Sequence, residues 1–368
     1  MTDGAAAGSR EVLFLSKAGV TDQSTQHRID PIADELRERE YNVSVIHGKQ
    51  RSIFGRPFRY VAGAGIVELL SNGGSYDAVV MNRDGSPTAY LAALLCNRKE
   101  IPLIFDIDDA LYHQKRIDET PIPIPGRIFL DKVIQQAAHV TTGNSNIESE
   151  LSSLNSNITT IPTPVDASVF QKETDPAATY DSTVLGWMGI GPGHEHNLRL
   201  LREPLMTLGK KYDITFRMVS SLGNGEIRDT FTEVEQYVDV DYGYNDRIPL
   251  KQVRREMATF DIAVLPLNPS DEMMEGKSII KVLEHLAMGL PVVASDALAY
   301  GDLLTHDETG LLADTTEDWV SNIERLINDE GEKNRLAEAG YQMVVKDYTV
   351  ESYVDQLETV IDTAVTDL

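Results

Sequence analysis

The stretch from Met273 to Asp296, M-M-E-G-K-S-I-I-K-V-L-E-H-L-A-M-G-L-P-V-V-A-S-D, decides how the rest of the chain is read. Its middle is helical, because Ile279, Leu283, Leu286 and Ala287 fall at i, i+4, i+7 and i+8 and make one apolar stripe. Lys277, Lys281 and Glu284 stand four and three residues apart and share a different face. Gly289 is placed to end the helix, and Pro291 cannot continue it. Leu290 to Ala294 then reads as a buried parallel strand. The charge placement is unusual. Lysines near a helix N-terminus face the positive end of the macrodipole, at roughly a few tenths of a kcal/mol each unless an anion sits between them. A phosphate or diphosphate turns that penalty into attraction. Glu284, further along, has the acceptors to take paired sugar hydroxyls. The spacing fits a site for phosphates with a ribose beyond them, and it fits a solvated helix face equally.

K-V-L-E-H-L-A-M-G-L-P-V-V-A-S, Lys281 to Ser295, resembles the donor-binding segment of the family 4 retaining glycosyltransferases of GT-B fold. That family carries two glutamates eight positions apart, followed by A-x-G-x-P-V-V. Glu284 matches the second, which the resemblance implies would hold the nucleotide ribose. The first falls on Gly276, with Glu275 beside it, and the segment is similar to a branch that reads G-K-S-x-x-K-x-x-E. The family role of the first glutamate, usually contact with the transferred sugar, therefore does not carry over to position 276, and whether Glu275 takes it stays open. Three look-alikes carry less. Gly276-Lys277-Ser278 ends like a P-loop, but the motif's first glycine would stand at Asp271. His194-Glu195-His196 has alternating histidines with no third ligand near in sequence, so a loop is expected there and not a metal site. Asp106-Ile107-Asp108-Asp109 has the look of a cation site and is taken up below.

A chain of 368 residues has room for two domains, each with a core, and 42% hydrophobic content is ordinary for a globular protein. No apolar run is long enough to span a membrane. Residues 1 to 10 are small and polar, read as disordered, and carry no signal-peptide core. A lone Cys96 excludes an internal disulfide framework and suits a cytoplasmic protein. The formal net charge of −25, from 58 acids and 33 bases, is spread along the chain, as in the acidic, halophile-like shell of proteins from high-salt cytoplasm. Such a surface disfavours general nucleic-acid binding. The exception is His47 to Tyr60, which holds Lys49, Arg51, Arg56 and Arg59, no acid, and Phe54, Phe58 and Tyr60. We read it as a basic, aromatic loop, docked on the core or turned toward an anionic acceptor or a membrane surface.

Glu11 to Ser16, a helix to about Glu40, and Asn42 to Ile46 open a Rossmann-like domain. No G-x-G-x-x-G follows the first strand, which disfavours a nicotinamide dinucleotide. H-R-I-D-P-I-A-D-E-L is similar to the same family's N-terminal domains, where an arginine precedes P-x-A-x-x-L. Tyr76 to Met81 and Ile101 to Phe105 continue the strands, with a helix near Ser86 to Asn97 between them. Asp106, Asp108 and Asp109 then lie past a strand's carboxyl end, where open parallel sheets bind ligands. P-L-I-F-D-I-D-D-A-L resembles the same glycosyltransferase branch. The carboxylates read either as acceptor-side groups, one of them a base, or as caps of the next helix. I-P-T-P-V-D at Ile161 to Asp166 resembles the family's I-P-N-G-V-D, and Gln171 to Asp181 reads as a linker. The second half opens with the strand Thr183 to Met188 and the turn Gly189-Ile190-Gly191-Pro192-Gly193, where a ligand can approach the backbone. The family's arginine and lysine around this turn are absent. Strands at Tyr212 to Val219 and Asp261 to Leu265, a helix at Pro249 to Phe260 and three closing helices complete the chain.

The resemblance implies an α/β GT-B fold of two Rossmann-like domains facing each other across a cleft. Domains are expected at 1–170 and 182–348, with 349–368 a helix crossing back to the first. It implies transfer of a sugar from a nucleotide-sugar, with retention, to a glycan or lipid-linked acceptor. Asp108, Asp109 and Lys281 are the expected catalytic residues. Gly189, Gly191, Glu275, Gly276, Lys277, Ser278, Ile279, Ile280 and Glu284 are the expected donor-binding residues. No metal and no further cofactor is expected. The alternatives are an epimerase or phosphorylase of the same fold, or a catalytically silent glycan-binding protein, which the absent first glutamate favours.

Overall fold

The computed structural model describes residues 9–17, 23–53, 56–60, 62–109, 126–166, 169–170, 175–189, 194–219, 226–244, 248–268 and 278–367. The chain divides into two compact units. One holds the chain up to Pro164 and the segment from Val350 on; the other runs from Val165 to Thr349 apart from 276–278.

In the first unit the strands are β1 Glu11–Ser16, β2 Asn42–His47, β3 Lys49–Ile53, β4 Arg56–Tyr60, β5 Ala78–Asn82, β6 Leu103–Ile107, β7 His139–Thr142 and β8 Ile158–Thr160. Six of them form a parallel sheet in the order β2-β1-β5-β6-β7-β8. β5 and β6 are buried along their whole length, as continuous apolar runs in a sheet covered on both faces must be. Period-two alternation sorts their side chains. Leu13, Leu15, Val79, Met81, Leu103 and Phe105 pack on one side with Ala89 and Val133. Val12, Phe14, Ala78, Val80 and Ile104 pack on the other with Ile32, Leu36 and the last helix, Val350–Thr366. That helix buries Tyr353, Val354, Leu357, Val360, Ile361 and Ala364, an apolar stripe of helical period.

The His47–Tyr60 segment is not the loop expected from its charge. β3 and β4 pair antiparallel, with Lys49 opposite Tyr60 and Ile53 opposite Arg56. Strand alternation in K-x-R-x-I and R-x-F-x-Y outweighs composition as the local signal. The helices Ala62–Asn72 and Gly126–Gln136 also lie where no element was expected.

A buried ion pair ties this unit together. Arg28 Nε and Nη2 hold the Asp106 carboxylate at 2.7 to 3.0 Å, and Nη1 donates to Ile161 O and Thr163 Oγ1. Asn82 Nδ2 and Thr141 Oγ1 donate to the same carboxylate, each at 2.7 Å. The Tyr353 ring lies 5.0 Å from the guanidinium. Burial alone would raise the Asp106 pKa, but Arg28 and the two neutral donors hold it below the usual carboxylate range. Asp106 is therefore a structural hub joining the Gln23–Arg28 helix, three strands and the last helix. It neither caps a helix nor stands ready for a cation.

The second unit contains β9 Thr183–Met188, β10 Ile214–Val219, β11 Asp239–Tyr242, β12 Ile262–Leu265, β13 Val292–Ser295 and β14 Leu311–Ala313. They form a parallel sheet in the order β11-β10-β9-β12-β13-β14. The chain thus winds outward on one side from β9 and then reverses across β12, the switch point at which open sheets of this kind bind ligands. Among the described residues no helix is long and apolar enough to cross a membrane.

Removing one partner of the Arg28–Asp106 pair leaves the other charge buried. Arg28→Met and Asp106→Ala are each expected to destabilise the protein by about 3–5 kcal/mol, read by urea unfolding. A loss below about 1 kcal/mol in both would show that the pair is not the tie described.

Candidate functional site

The helix Ile280–Ala287 follows β12 and precedes β13, and it forms where the apolar spacing places it. Ile279, Leu283, Leu286 and Ala287 are all buried in the core of the second unit. Its end is a Schellman closure. Gly289 sits at φ +70°, its N–H donates to Leu286 O at 2.9 Å, and Leu290 N–H donates to His285 O at 3.1 Å. A Cβ at that φ would be strained, which is why glycine stands there.

At the other end Ile279 is the N-cap and supplies no side-chain cap. Ser278 and Ile280 are half-buried beside it. Lys281 occupies the second helical position, where the dipole opposes its charge. It is held there by aromatic groups. Its Nζ lies 5.0 Å from the centre of the Trp187 ring and 3.2 Å from His194 Nε2. Trp187 comes from β9, and Gly189 follows that strand's end. A methyl group at Gly189 would collide with the Lys281 ammonium and the Trp187 indole, so glycine is needed for the close approach. Gly189 and Lys281, far apart in sequence, are thus brought together at the switch point. Gly191, Glu275, Gly276 and Lys277 lie outside the described residues.

Glu284, one turn beyond Lys281, is only 6% exposed. Burial pushes its pKa up to about 8, against the pull of the Lys281 charge. The buried Tyr300 is its neighbour, with a hydroxyl pKa raised first by burial and then by the Glu284 charge. His285 is the opposite case. Its Nδ1–H donates to Lys281 O at 2.6 Å, and burial lowers its pKa to about 4. An acid and a base whose ordinary values lie close are therefore driven apart by the same desolvation.

Asp108 and Asp109 belong to the first unit, after β6. Arg83, at φ +56°, turns its guanidinium to both, with Nη2 2.8 Å from Asp109 Oδ2 and Nε 3.4 Å from Asp108 Oδ1. Asp108 is buried, which raises its pKa against the pull of Arg83 and Arg28. Among the described residues no group of His, Cys, Asp and Glu side chains has the makings of a metal site.

Trp187, His194, Asn197 and Tyr300 are the residues that reading by motif missed. His194-Glu195-His196 was expected in a loop; His194 does lie outside any helix or strand, whereas Glu195 and His196 open the short helix Glu195–Leu198, and His194 is 8% exposed. The spacing of His194 and Asn197, one helical turn apart, was the available signal.

Residues 199–359 match the family model described as glycosyl transferase-like. No curated protein matches the chain by sequence. Three solved structures are similar over nearly its whole length. A glycosyltransferase from Rickettsia africae aligns with a TM-score of 0.70 at 13% identity, over 98% of this chain and 100% of its own. HepE of Anabaena, in complex with UDP, aligns with a TM-score of 0.67 at 14% identity, over 96% and 100%. The catalytic domain of starch synthase IV from Arabidopsis thaliana, bound to ADP and acarbose, aligns with a TM-score of 0.66 at 12% identity, over 98% and 100%. At these identities the likeness is one of fold, and the fold is GT-B: two α/β units, each built on a parallel sheet of six strands.

The opposed shifts of Glu284 and His285 set a pH dependence. Folded Glu284 keeps its proton up to about 8, whereas the unfolded side chain releases it near 4.5, so stability falls as pH rises between those values. Folded His285 resists protonation down to about 4, whereas unfolded it charges near 6.5, so stability falls as pH drops through that window. The slopes offset below 6.5 and leave Glu284 acting alone from there to about 8. Glu284→Gln is expected to remove a decline of up to about 1.4 kcal/mol per pH unit in that upper range, measured by chemical unfolding. Parallel wild-type and variant curves from pH 6.5 to 8 would show that the carboxyl is not buried as described.

Proposed function

We propose that the protein is a glycosyltransferase that moves a hexosyl group from a nucleotide-sugar to a glycan or lipid-linked acceptor, with retention of configuration and without a metal. One observation carries this reading. The Lys281 ammonium is held at the start of a helix, against the dipole, beside a glycine at the switch point, with a buried carboxyl one turn further on. A cation so placed is stabilised when an anion binds there. The glycosyl transferase-like match over 199–359, the GT-B fold, and the UDP and ADP held by HepE and starch synthase IV support the choice of a nucleotide diphosphate.

In this reading the bond between the anomeric carbon and the diphosphate oxygen breaks, and the departing charge falls on Lys281, Lys277 and the backbone N–H groups at the start of the helix. The two lysines supply the charge that a divalent cation provides in other transferases. Gly189 and Gly191 let the donor approach the backbone, and the Glu275–Ile280 segment lines the phosphates. Glu284 takes the ribose hydroxyls. Asp108 or Asp109 faces the acceptor, whose hydroxyl attacks as its proton leaves. Asp108 suits the role of proton acceptor, because burial raises its affinity for a proton. Closure that excludes water would protect the donor from hydrolysis.

A second reading, a silent glycan-binding protein, draws on Gly276 standing where the family has a glutamate. Donor binding with no turnover on any acceptor would decide for it.

The first unit also exposes apolar side chains on three successive helices: Val67 (63% exposed), Leu70, Leu91, Leu94 and Ile128. Together with the basic β3–β4 hairpin they favour peripheral contact with an anionic membrane, where a lipid-linked acceptor would lie.

Two measurements test these readings. Calorimetric titration of UDP and ADP with a chelator present is expected to show binding that Lys277→Ala and Lys281→Ala each weaken by about 1–3 kcal/mol, the size of a charge-assisted contact. Unchanged affinity in both variants, or binding that requires a divalent cation, would end the metal-free donor reading. Flotation with phosphatidylserine vesicles is expected to carry the protein, and replacing Arg51, Arg56 and Arg59 by Ser should abolish it. Equal flotation of wild type and variant would remove the hairpin from any membrane role.

A further inference from the structure

The edge of the second unit's sheet carries a pocket of about 480 Å³ that the donor reading leaves unused. It lies along β11, the outermost strand, whose neighbour in the sheet is β10. Pairing sets Thr215 beside Asp239 and Arg217 beside Asp241, so these four side chains share one face of the sheet. Val240 and Tyr242 belong to the other face, yet they line the same pocket. The pocket therefore wraps the open edge of the strand, where one row of backbone N–H and C=O groups points outward. It is separate from the Lys281 cluster. Thr215 and Asp239 stand at the amino ends of their strands and Tyr180 precedes β9, whereas Gly189 follows the carboxyl end of β9.

The aromatic walls are fixed before any ligand arrives. The Tyr180 hydroxyl donates to Asp241 and accepts from Arg217, whose guanidinium also holds Asp241 and Glu256. Tyr242 donates to Glu235 Oε1 at 2.8 Å, and the Arg228 guanidinium stands 4.3 Å from the centre of its ring. Rings pinned in this way lose little further freedom on binding.

Charge and hydrogen-bonding sense then select the ligand. Arg217 is matched by Asp241 and Glu256. Arg228 and Asp239 are exposed, and neither has an ion-pair partner among the described residues. An anion entering the pocket meets Asp239 and Asp241, and a cation meets Arg228, so a neutral ligand is favoured. That ligand has to accept from a guanidinium and donate to carboxylates. A sugar does both through its hydroxyl groups, and the C–H face of its ring packs on tyrosine. The volume falls within the roughly 300–1,000 Å³ of small-molecule sites. A peptide strand is the competing occupant of a sheet edge. However, β11 is four residues long and carries two acids, the features that keep strands from adding to an edge.

We propose that the pocket along β11 is a carbohydrate site separate from the donor site, taking one or two neutral sugar units of a glycan, with Arg228 and Asp239 as its hydrogen-bonding residues and Tyr180 and Tyr242 as its walls. It goes beyond the donor reading and does not depend on it. A glycan anchored there keeps its remaining sugars near the protein at a raised effective concentration.

The test is titration with neutral disaccharides of gluco, galacto and manno configuration, with UDP as a separate arm. The wild type is expected to bind at least one disaccharide, whether or not UDP is present. Arg228→Ala and Asp239→Asn, both at exposed positions, are each expected to lower that affinity roughly tenfold and to leave UDP affinity unchanged. A wild type that binds none of the disaccharides, or affinity that both variants keep, overturns the proposal. A second measurement uses wild-type protein carrying fluorinated tyrosine. The Tyr180 and Tyr242 signals, identified by their loss in Tyr180→Phe and Tyr242→Phe, are expected to shift as the disaccharide is added. Signals that stay in place while the disaccharide binds put it elsewhere and overturn the proposal, even where the other variants do not fold. A wild type that takes a disaccharide at these tyrosines but neither UDP nor ADP overturns the donor reading alone.

Discussion

A parallel sheet covered on both faces has only its strand ends left for chemistry. In the second unit those ends are arranged by one topological fact: β9 is first in the chain and lies inside the sheet, with β10 and β11 on one side and β12, β13 and β14 on the other. The Asn268–Asn197 hydrogen bond joins the segment after β12 to the short helix after β9. Lys281, Gly189 and His194 meet beside these strand ends because the winding of the chain brings them there, not because any local motif does.

The two units treat buried charge in contrasting ways. Arg28 and Asp106 form a paired cluster, in which the carboxylate takes hydrogen bonds from the guanidinium, an amide and a hydroxyl, and its pKa is held low. The effect of that pairing is to hold sheet and helices in register. Glu284 is buried with a pKa raised to about 8, and Lys281 stands at the start of a helix, against its dipole. The Glu284 carboxylate is stabilised less than its burial demands. Such under-compensation is the mark of a place where a ligand completes the electrostatics. The same reasoning separates Asp106 from Asp108, two residues on in one strand end: the first is satisfied, and the second is raised by burial that Arg83 only partly offsets.

What could be read before folding follows from the range of the interactions concerned. The helix Ile280–Ala287 was legible because its apolar stripe and its terminating Gly289 act within a few turns. The apolar strands β1, β9 and β12 were legible for the same reason. The role of Asp106 was not, because its partner Arg28 stands 78 residues away and the sequence between them gives no sign of the pairing. His194 was passed over because it was weighed as a metal ligand, whereas its partners are Asn197, three residues on, and Lys281, 87 residues on. The hairpin of β3 and β4 was misread because charge and aromatic content drew attention away from its period-two alternation. The edge strand β11 carries two acids in four residues, D-V-D-Y, and resembles a turn until β10 supplies its hydrogen bonds. Local patterns thus recovered the framework, while the site depended on pairings that only the topology creates.

The chain's overall charge bears on how such a site must work. At −25 the protein as a whole repels the diphosphate of the proposed reading. Beyond about 10 Å in 0.1 M salt, and less at higher ionic strength, that repulsion is screened. Contacts within hydrogen-bond distance, backed by the buried face of Trp187, are screened much less. An acidic shell and a short-range cationic site are therefore compatible, provided that the site's donors are gathered tightly and kept partly out of water. Lys281 meets that condition by lying over an indole. In a chain so acidic, attraction over distance is weak, and the proposed donor site depends on short-range geometry: an ammonium held over an indole at the end of the one strand around which the unit is wound.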